Sequence, residues 1–307
     1  MEYITLKNSD LKVSRLCMGG YGWGDVQEKD LIAAVHTALD NGVTIFDTAD
    51  TYGLGQSERT LGKALGSKRK YVVIADKFGV RAGKGPTFYD NSPEYIRKAL
   101  EVSLRNLATD YIDLYQVHYR DGTTPLFVVI ETLEELKKEG KIRYYGLSNI
   151  HEADYEDIKP FIGKIVSVQD EYSLACRKNE RDLITLSIEF QMTPFTWGSL
   201  GQGILTGKYD KNATFGSNDR RSRDVYVNFH GEKLLRNLDI VDVMKPIAER
   251  RRKPVSAVAI RFILDWIEDS VVLVGAKRQS QILENIKGMD WKLEEEELHK
   301  LNDISRN

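Results

Sequence analysis

An aspartate, a tyrosine, a lysine and a histidine stand at points of this 307-residue chain where an apolar run gives way to a loop. Asp47 lies near the end of TIFDTA, and Tyr52 follows in the glycine-rich turn TYGLGQSE. Lys77 closes YVVIADK, and His118 closes YIDLYQVH. Together these types suit proton transfer to a carbonyl oxygen. A phenol with a pKa of about 10 is a poor acid at neutral pH. A nearby ammonium favours the phenolate, so Lys77 is expected to pull the Tyr52 pKa down and ease the transfer. An ammonium at the bottom of a pocket is costly unless paired, and Asp47 is the expected partner. A neutral His118 could donate a hydrogen bond to the same oxygen and hold it facing the phenol. The set lacks a hydride donor. Taken singly, Asp47 reads as a cap, Tyr52 as packing, Lys77 as surface and His118 as core. Their shared address at successive strand ends favours the joint role.

That address depends on the elements that carry the four residues. Short apolar runs rich in β-branched residues fall at 13–19, 44–49, 71–77, 111–118, 142–148, 165–169, 193–197 and 271–275. Their near-continuous hydrophobicity is that of parallel strands covered on both sides. Helical patterns alternate with them. Ser92-Pro93 supplies a cap and a first-turn proline, and Ile96, Ala99, Leu100, Ser103 and Leu107 mark one face. A similar face follows Pro125 through Val128, Val129, Thr132, Leu133 and Leu136, and another runs from Asp30 to Asn41. Eight strands each followed by a helix predict an α/β fold, a (β/α)8 TIM barrel, in one domain spanning 1–307. The competing doubly wound sheet would carry GxGxxG after its first strand, where this chain has GGYGWGD. Two departures from strict alternation are expected. MEYITLKNSDLKV reads as an N-terminal β-hairpin, and the interval from Trp197 to Val271 holds a long loop and an extra helix near Leu238 to Arg251, between strands 7 and 8.

Composition excludes several classes. The formal net charge is −2, which argues against nucleic acid as a partner. No apolar run is long enough to cross a membrane and no leader is evident, so a cytoplasmic protein is expected. Cys17 and Cys176 are the only cysteines, read as reduced thiols. His36, His151, His230 and His299 are scattered without ligand spacing, so no metal is expected.

These motifs resemble the aldo-keto reductase superfamily. GVTIFDTADTYGLGQSE, ADKFG and YIDLYQVH match its aspartate–tyrosine, lysine and histidine segments, and GLSN (146–149), VQDEYS (168–173), GQGILTGKY (201–209) and GAKRQSQILEN (275–285) continue in the family's order. The resemblance covers nearly the whole chain and is closest to prokaryotic long-loop members. It implies a barrel that reduces aldehydes or ketones to alcohols with NADPH, with Tyr52 as general acid, Lys77 and Asp47 assisting, and His118 orienting the carbonyl. It places Ser148, Asn149 and Gln169 on the nicotinamide carboxamide and Tyr172 on the nicotinamide ring. Leu200, Gln202, Gly203 and Lys208 fall where the family wraps the pyrophosphate. Gly275, Lys277, Gln281, Glu284 and Asn285 match its adenosine-phosphate site. Independently of the family, a helix opening just after the eighth strand suits an anion, and Lys277 with Arg278 favours the 2′-phosphate of NADP(H). Glu284 can pair with adenine or ribose, which leaves NAD(H) use open.

Some positions depart from the family's pattern. Trp197-Gly198-Ser199-Leu200 replaces the usual Tyr-Ser-Pro-Leu, so Ser199 or backbone N–H groups must serve the pyrophosphate. Asp76 stands where a small residue is usual, and the sequence leaves open whether it faces Lys77 or points away. Tyr21, Trp23, Phe78 and Tyr119 follow strand ends and read as aromatic walls for a small-molecule carbonyl substrate, with Trp197 on the same rim; closure of the barrel's upper core is the competing reading. Two other functions stay open: an NADP(H)-binding sensor subunit with slow turnover, and a dehydrogenase of sugar or polyol alcohols. A homo-oligomer is compatible with all of them.

Overall fold

The computed structural model describes residues 1–81 and 88–306. Eight parallel strands close into a barrel in the order β3 (Leu16–Gly19), β4 (Ile45–Asp47), β5 (Val73–Phe78), β8 (Ile112–Val117), β9 (Ile142–Ser148), β10 (Ser167–Glu171), β11 (Thr193–Trp197) and β12 (Val271–Gly275), which pairs back to β3. All eight expected strands are present. The first is shorter than expected: Val13 and Ser14 belong to a hairpin of β1 (Tyr3–Thr5) and β2 (Lys12–Ser14), because the chain breaks at Arg15. The Arg15 guanidinium there donates to the carbonyls of Ser270 and Leu264. An antiparallel ribbon of β6 (Val80–Arg81) and β7 (Phe88–Tyr89) lies beyond β5.

Strand periodicity divides the core in two. Cys17, Ile45, Val73, Ala75, Leu114, Phe195, Val271 and Leu273 point into the barrel, where Leu6, Leu11 and Val13 of the hairpin join them. The hairpin therefore plugs the amino-terminal end, fastened by Lys7 N–H to Thr193 Oγ1 at 2.8 Å and Asn8 to the Ile165 carbonyl at 3.0 Å. Residues of the opposite parity pack outward against the helices.

The helices are α1 (Glu28–Asp40), α2 (Gln56–Leu65), α3 (Pro93–Leu107), α4 (Leu126–Lys138), α5 (Tyr155–Ile158), α6 (Glu180–Ile188), α7 (Gly231–Arg251), α8 (Val255–Trp266), α9 (Gln279–Ile286) and α10 (Glu295–Arg306). In α3 the Ser92 hydroxyl accepts from Tyr95 N–H at 3.3 Å, and the five residues expected on its inner face are the buried ones. The extra helix α7 begins earlier than expected, at Gly231; in its first turn and a half only Leu234 is buried, and Leu235 faces outward, so no apolar face marks the start. Helix α8 shows no apolar stripe in the sequence because it is buried along nearly all of its length, Ser256 through Leu264. No helix among the described residues is long and apolar enough to cross a membrane.

Candidate active site

Inward positions at the carboxyl ends of the strands turn polar. Asp47 ends β4, Lys77 sits near the end of β5, His118 follows β8, and Tyr52 rides on the loop between β4 and α2. Lys77 is fully buried, and its Nζ lies 2.5 Å from Asp47 Oδ2. Gln169 Nε2 donates to the same carboxylate oxygen at 2.9 Å. The Tyr52 ring centroid is 5.2 Å from Lys77 Nζ and 5.7 Å from the His118 ring, which it meets edge-on. Three strands and one loop thus bring all four candidate groups to one volume.

The electrostatics differ from the expectation at one point. The Tyr52 hydroxyl is held well above its ordinary pKa, first by burial and then by the Asp47 carboxylate. Lys77 was expected to draw it down, but its charge is matched by Asp47 in direct contact, so desolvation of the phenolate dominates. Tyr52 is therefore firmly protonated, the state a proton donor needs. His118 is pushed well below its ordinary pKa by burial and then by Lys77, which keeps the imidazole neutral. Its Nδ1 has no hydrogen-bond partner among the described residues.

A second tier fastens this layer. Ser148 Oγ donates to the Gln169 carbonyl at 2.8 Å, and Asn149 Nδ2 donates to the His118 carbonyl at 2.9 Å and to Ser148 Oγ at 3.1 Å. Asn149 takes a left-handed φ of 55°, so its side chain swings back over the strand ends. Ser148, Asn149 and Gln169 thus border the tetrad.

Not every residue read from the sequence reaches the site. Trp23 is buried and donates its indole N–H to the Ala276 carbonyl at 3.2 Å, which ties the loop after β3 to the loop after β12. Phe78 alternates with inward-facing Lys77, so it points outward and packs on Tyr115 at 4.6 Å between ring centroids. Neither lines a substrate pocket. Tyr172 shows no accessible surface; its hydroxyl donates to Glu180 Oε2 at 2.6 Å, with Arg177 over its ring. It offers no free face to a nicotinamide. The Ser199 hydroxyl is buried and donates to the Thr196 carbonyl at 2.8 Å.

Other aromatics do stand at the mouth. Tyr21 is 61% exposed and meets Tyr52 edge-on at 5.2 Å. Tyr119 stacks between His118 at 5.2 Å and Tyr89 at 5.0 Å. Trp197, half-buried above the interior core and in register with Glu171, is the available aromatic at the end of β11. Tyr89 arrives from the distant ribbon, and nothing in the sequence signals its contact with Tyr119.

On the other side of the mouth, Leu200 leads into a one-sided turn over Gly201–Thr206, where Gln202 (φ 59°) and Gly203 (φ 108°) are both left-handed. A side chain at Gly203 would be strained, and nothing crowds the position. Gly198 is left-handed as well, and a Cβ there would lie 3.2 Å from Glu171 Cγ. Beyond β12, past the exposed Gly275, Lys277 N–H donates to Gln281 Oε1 at 2.8 Å, just before α9. Lys277, Arg278 and Gln281 line a cavity of about 570 Å³ with Gln27, Lys29 and Asp30. Lys29 was not read as a site residue; it arrives only because α1 packs beside α9. Lys208 Nζ lies 3.7 Å from Glu284 Oε2, and Asn285 is buried in α9. In the long loop after β11, Arg221 is held by Asp219 and Tyr209. Arg120 is held by Asp154 and Asp157.

Comparison with known proteins agrees with this architecture. The model of the aldo/keto reductase family matches residues 15–306. Aldo-keto reductase YhdN of Bacillus subtilis (strain 168) is 33% identical across 100% of this chain and 94% of its own length. The structure of a glycerol dehydrogenase from Gluconobacter oxydans superposes with a TM-score of 0.90 at 31% identity, covering 98% of this chain and 94% of that one. An aldo-keto reductase from Klebsiella pneumoniae in complex with NADPH superposes with a TM-score of 0.78 at 26% identity, covering 99% and 96%. The chain belongs to the aldo/keto reductase family of oxidoreductases.

Proposed function

We propose that this protein is a cytoplasmic NADPH-dependent carbonyl reductase that converts an aldehyde or ketone to an alcohol. The observation that carries the reading is the buried Asp47–Lys77 pair beneath the Tyr52 phenol, with neutral His118 beside it. Substrate enters between Tyr21 and Tyr119. The His118 imidazole donates a hydrogen bond to the carbonyl oxygen and turns it toward Tyr52. As negative charge builds on that oxygen, the Tyr52 hydroxyl gives up its proton. Lys77 faces the phenolate left behind, and Asp47 and Gln169 hold the ammonium in place. These groups keep one geometry because strand ends, not mobile loops, present three of them.

The residues present fit a nicotinamide dinucleotide. Ser148, Asn149 and Gln169 offer polar groups beside the tetrad, and Trp197, rather than buried Tyr172, has a face for the ring. Backbone N–H groups around left-handed Gln202 and Gly203, with Lys208 nearby, suit the pyrophosphate. The cavity bearing Lys29, Lys277 and Arg278 suits the 2′-phosphate, with Gln281, Glu284 and Asn285 toward the adenosine. When bound, the reduced cofactor supplies the hydride that the side chains cannot. The likeness to a glycerol dehydrogenase favours a second reading, oxidation of polyol alcohols at the same site.

Absorbance at the reduced-nicotinamide band, followed with a panel of aldehydes, ketones and polyols, tests both directions. Tyr52→Phe is expected to lower kcat by about 10²–10⁴-fold while NADPH still quenches tryptophan fluorescence. Unchanged turnover of that variant would overturn the mechanism.

A further inference from the structure

The outward face of β5 carries a group that the proton-transfer chemistry leaves unexplained. Asp76 precedes Lys77, so it points away from the barrel interior, into the layer under α2 and α3. Two more carboxyl groups share that layer: Asp50 on the Tyr52 loop and Glu58 in the first turn of α2. Asp76 and Glu58 are completely buried. No lysine or arginine among the described residues comes within ion-pair distance of any of the three; Arg59 and Lys77 act on Glu58 and Asp50 only through longer-range attraction. The neighbours in contact are neutral. Tyr95 of α3 donates to Asp50 Oδ2 at 2.9 Å, and Asn106 of α3 donates to Glu58 Oε2 at 2.8 Å. Tyr115 of β8 is the register partner of Asp76, and Ser103 of α3 faces it. Beyond Tyr95, Arg81 is paired with Asp90.

This leaves an unusual deficit. Among the described residues, Asp50 Oδ1, Glu58 Oε1, both oxygens of Asp76, Ser103 Oγ and the Tyr115 hydroxyl are buried without a partner at full hydrogen-bonding geometry. The donors nearest them are the Ser103 hydroxyl, toward Asp76 and Glu58, and the N–H groups of Lys77 and Thr51, toward Asp76 and Asp50. Unpaired buried carboxylates cost several kilocalories each, and an ionised carboxylate can only accept. A protonated carboxyl is a donor as well, so protons held among the three groups supply the missing donors without a cation.

We propose that Asp50, Glu58 and Asp76 form a proton-sharing cluster that positions Lys77 and Tyr52, and that loss of its protons sets the alkaline limit of the working site. The connections are short. Asp50 N–H donates to the Lys77 carbonyl at 3.0 Å, so the loop and strand end are tied where the cluster sits. Ser57 N–H donates to the Tyr52 carbonyl at 3.2 Å, so the turn that carries Glu58 also holds the Tyr52 loop. Repulsion among ionised carboxylates in this layer acts directly on both supports. Burial raises all three groups, Asp50 to about 7, and each carboxylate raises Asp76 further. A group raised above its unfolded value stabilises the fold fully below the ordinary carboxyl pKa. That contribution shrinks as pH climbs from the ordinary carboxyl value and is gone once pH passes the folded value, which for Asp50 is about 7.

The activity arm of the test rests on the carbonyl-reductase reading, and the stability arm does not. The wild-type Tm is expected to fall by about 5 °C or more between about pH 6 and about pH 9. Asp76→Asn and Glu58→Gln should each flatten that fall. In Asp76→Asn, the alkaline loss of kcat should move up by about one pH unit. Calorimetry of the wild type in two buffers of different ionisation heat should count about one or more protons released on unfolding near pH 7. That measurement stands even if a variant does not fold. A wild-type Tm flat across the range, no proton release, or equal alkaline slopes in wild type and both variants overturns the proposal. So does recovery of the alkaline Tm by sodium, magnesium or calcium, which would make the cluster a cation site. Absence of carbonyl turnover with the stability results intact would sink the reductase reading alone.

Discussion

Lys77 and Asp76 are neighbours on one strand, yet their side chains enter regions that handle buried charge in opposite ways. Inside the barrel, Lys77 meets Asp47 at 2.5 Å and Gln169 completes the pair. Outside it, Asp76 shares a closed layer with Glu58 and Asp50, with no cation in contact among the described residues. Pairing suits the interior because a mobile proton must be handled beside a fixed ammonium. Protonation suits the outer layer because, among the described residues, no lysine or arginine comes within ion-pair distance of its three carboxyl groups. The consequence is opposite pH sensitivity. The outer cluster weakens as pH rises, whereas the mouth, with His118 held neutral, weakens as pH falls.

Breaking the interior pair should have the largest effect. Lys77→Met leaves Asp47 buried without its cation, and the expected loss is about 3–5 kcal/mol in urea unfolding, with catalytic efficiency down at least about 100-fold. Adding Asp47→Asn to that variant should recover stability but not turnover, a non-additivity that a double-mutant cycle reads. Equal stability of Lys77→Met and wild type would mean the pair is not the device described.

The acid side sharpens the contrast. The unfolded chain protonates His118 as pH falls through about 6.5, while the folded one does not, so stability drops by up to about 1.4 kcal/mol per pH unit below that point. His118→Gln should remove this acid-side slope in melting curves and leave the alkaline slope of the outer cluster in place. If both slopes disappear together, the two regions are not independent.

At the far rim, charge is solvated and worth less. Lys277→Ala is expected to raise the Kd for NADPH by about tenfold with little change for NADH, measured by fluorescence titration. Equal losses for both cofactors would place Lys277 elsewhere than on the 2′-phosphate.

The eight strands were legible because covered parallel strands are written as continuous apolar runs, and the tetrad because each member closes such a run. The face of α3 was legible for a similar reason: one side of the helix is wet and the other dry. Helix α8 was not, since burial all round erases the stripe. The aromatic walls were half read. Position after a strand end does not say which way a ring turns, so Trp23 and Phe78 looked equivalent to Tyr21 and Tyr119 until alternation along β5 and the indole bond to Ala276 separated them.

Local order along the chain was enough to settle the barrel, its N-terminal hairpin and the convergence of Asp47, Tyr52, Lys77 and His118. Those follow from period and strand ends, which are one-dimensional properties. Only the packed molecule decided which charges found partners. The direction of the Tyr52 shift, the separation of Asp76 from every lysine and arginine among the described residues, and the arrival of Lys29 and Tyr89 depend on distances between segments far apart in sequence. Desolvation and Coulomb energies are set by those distances, and no motif encodes them.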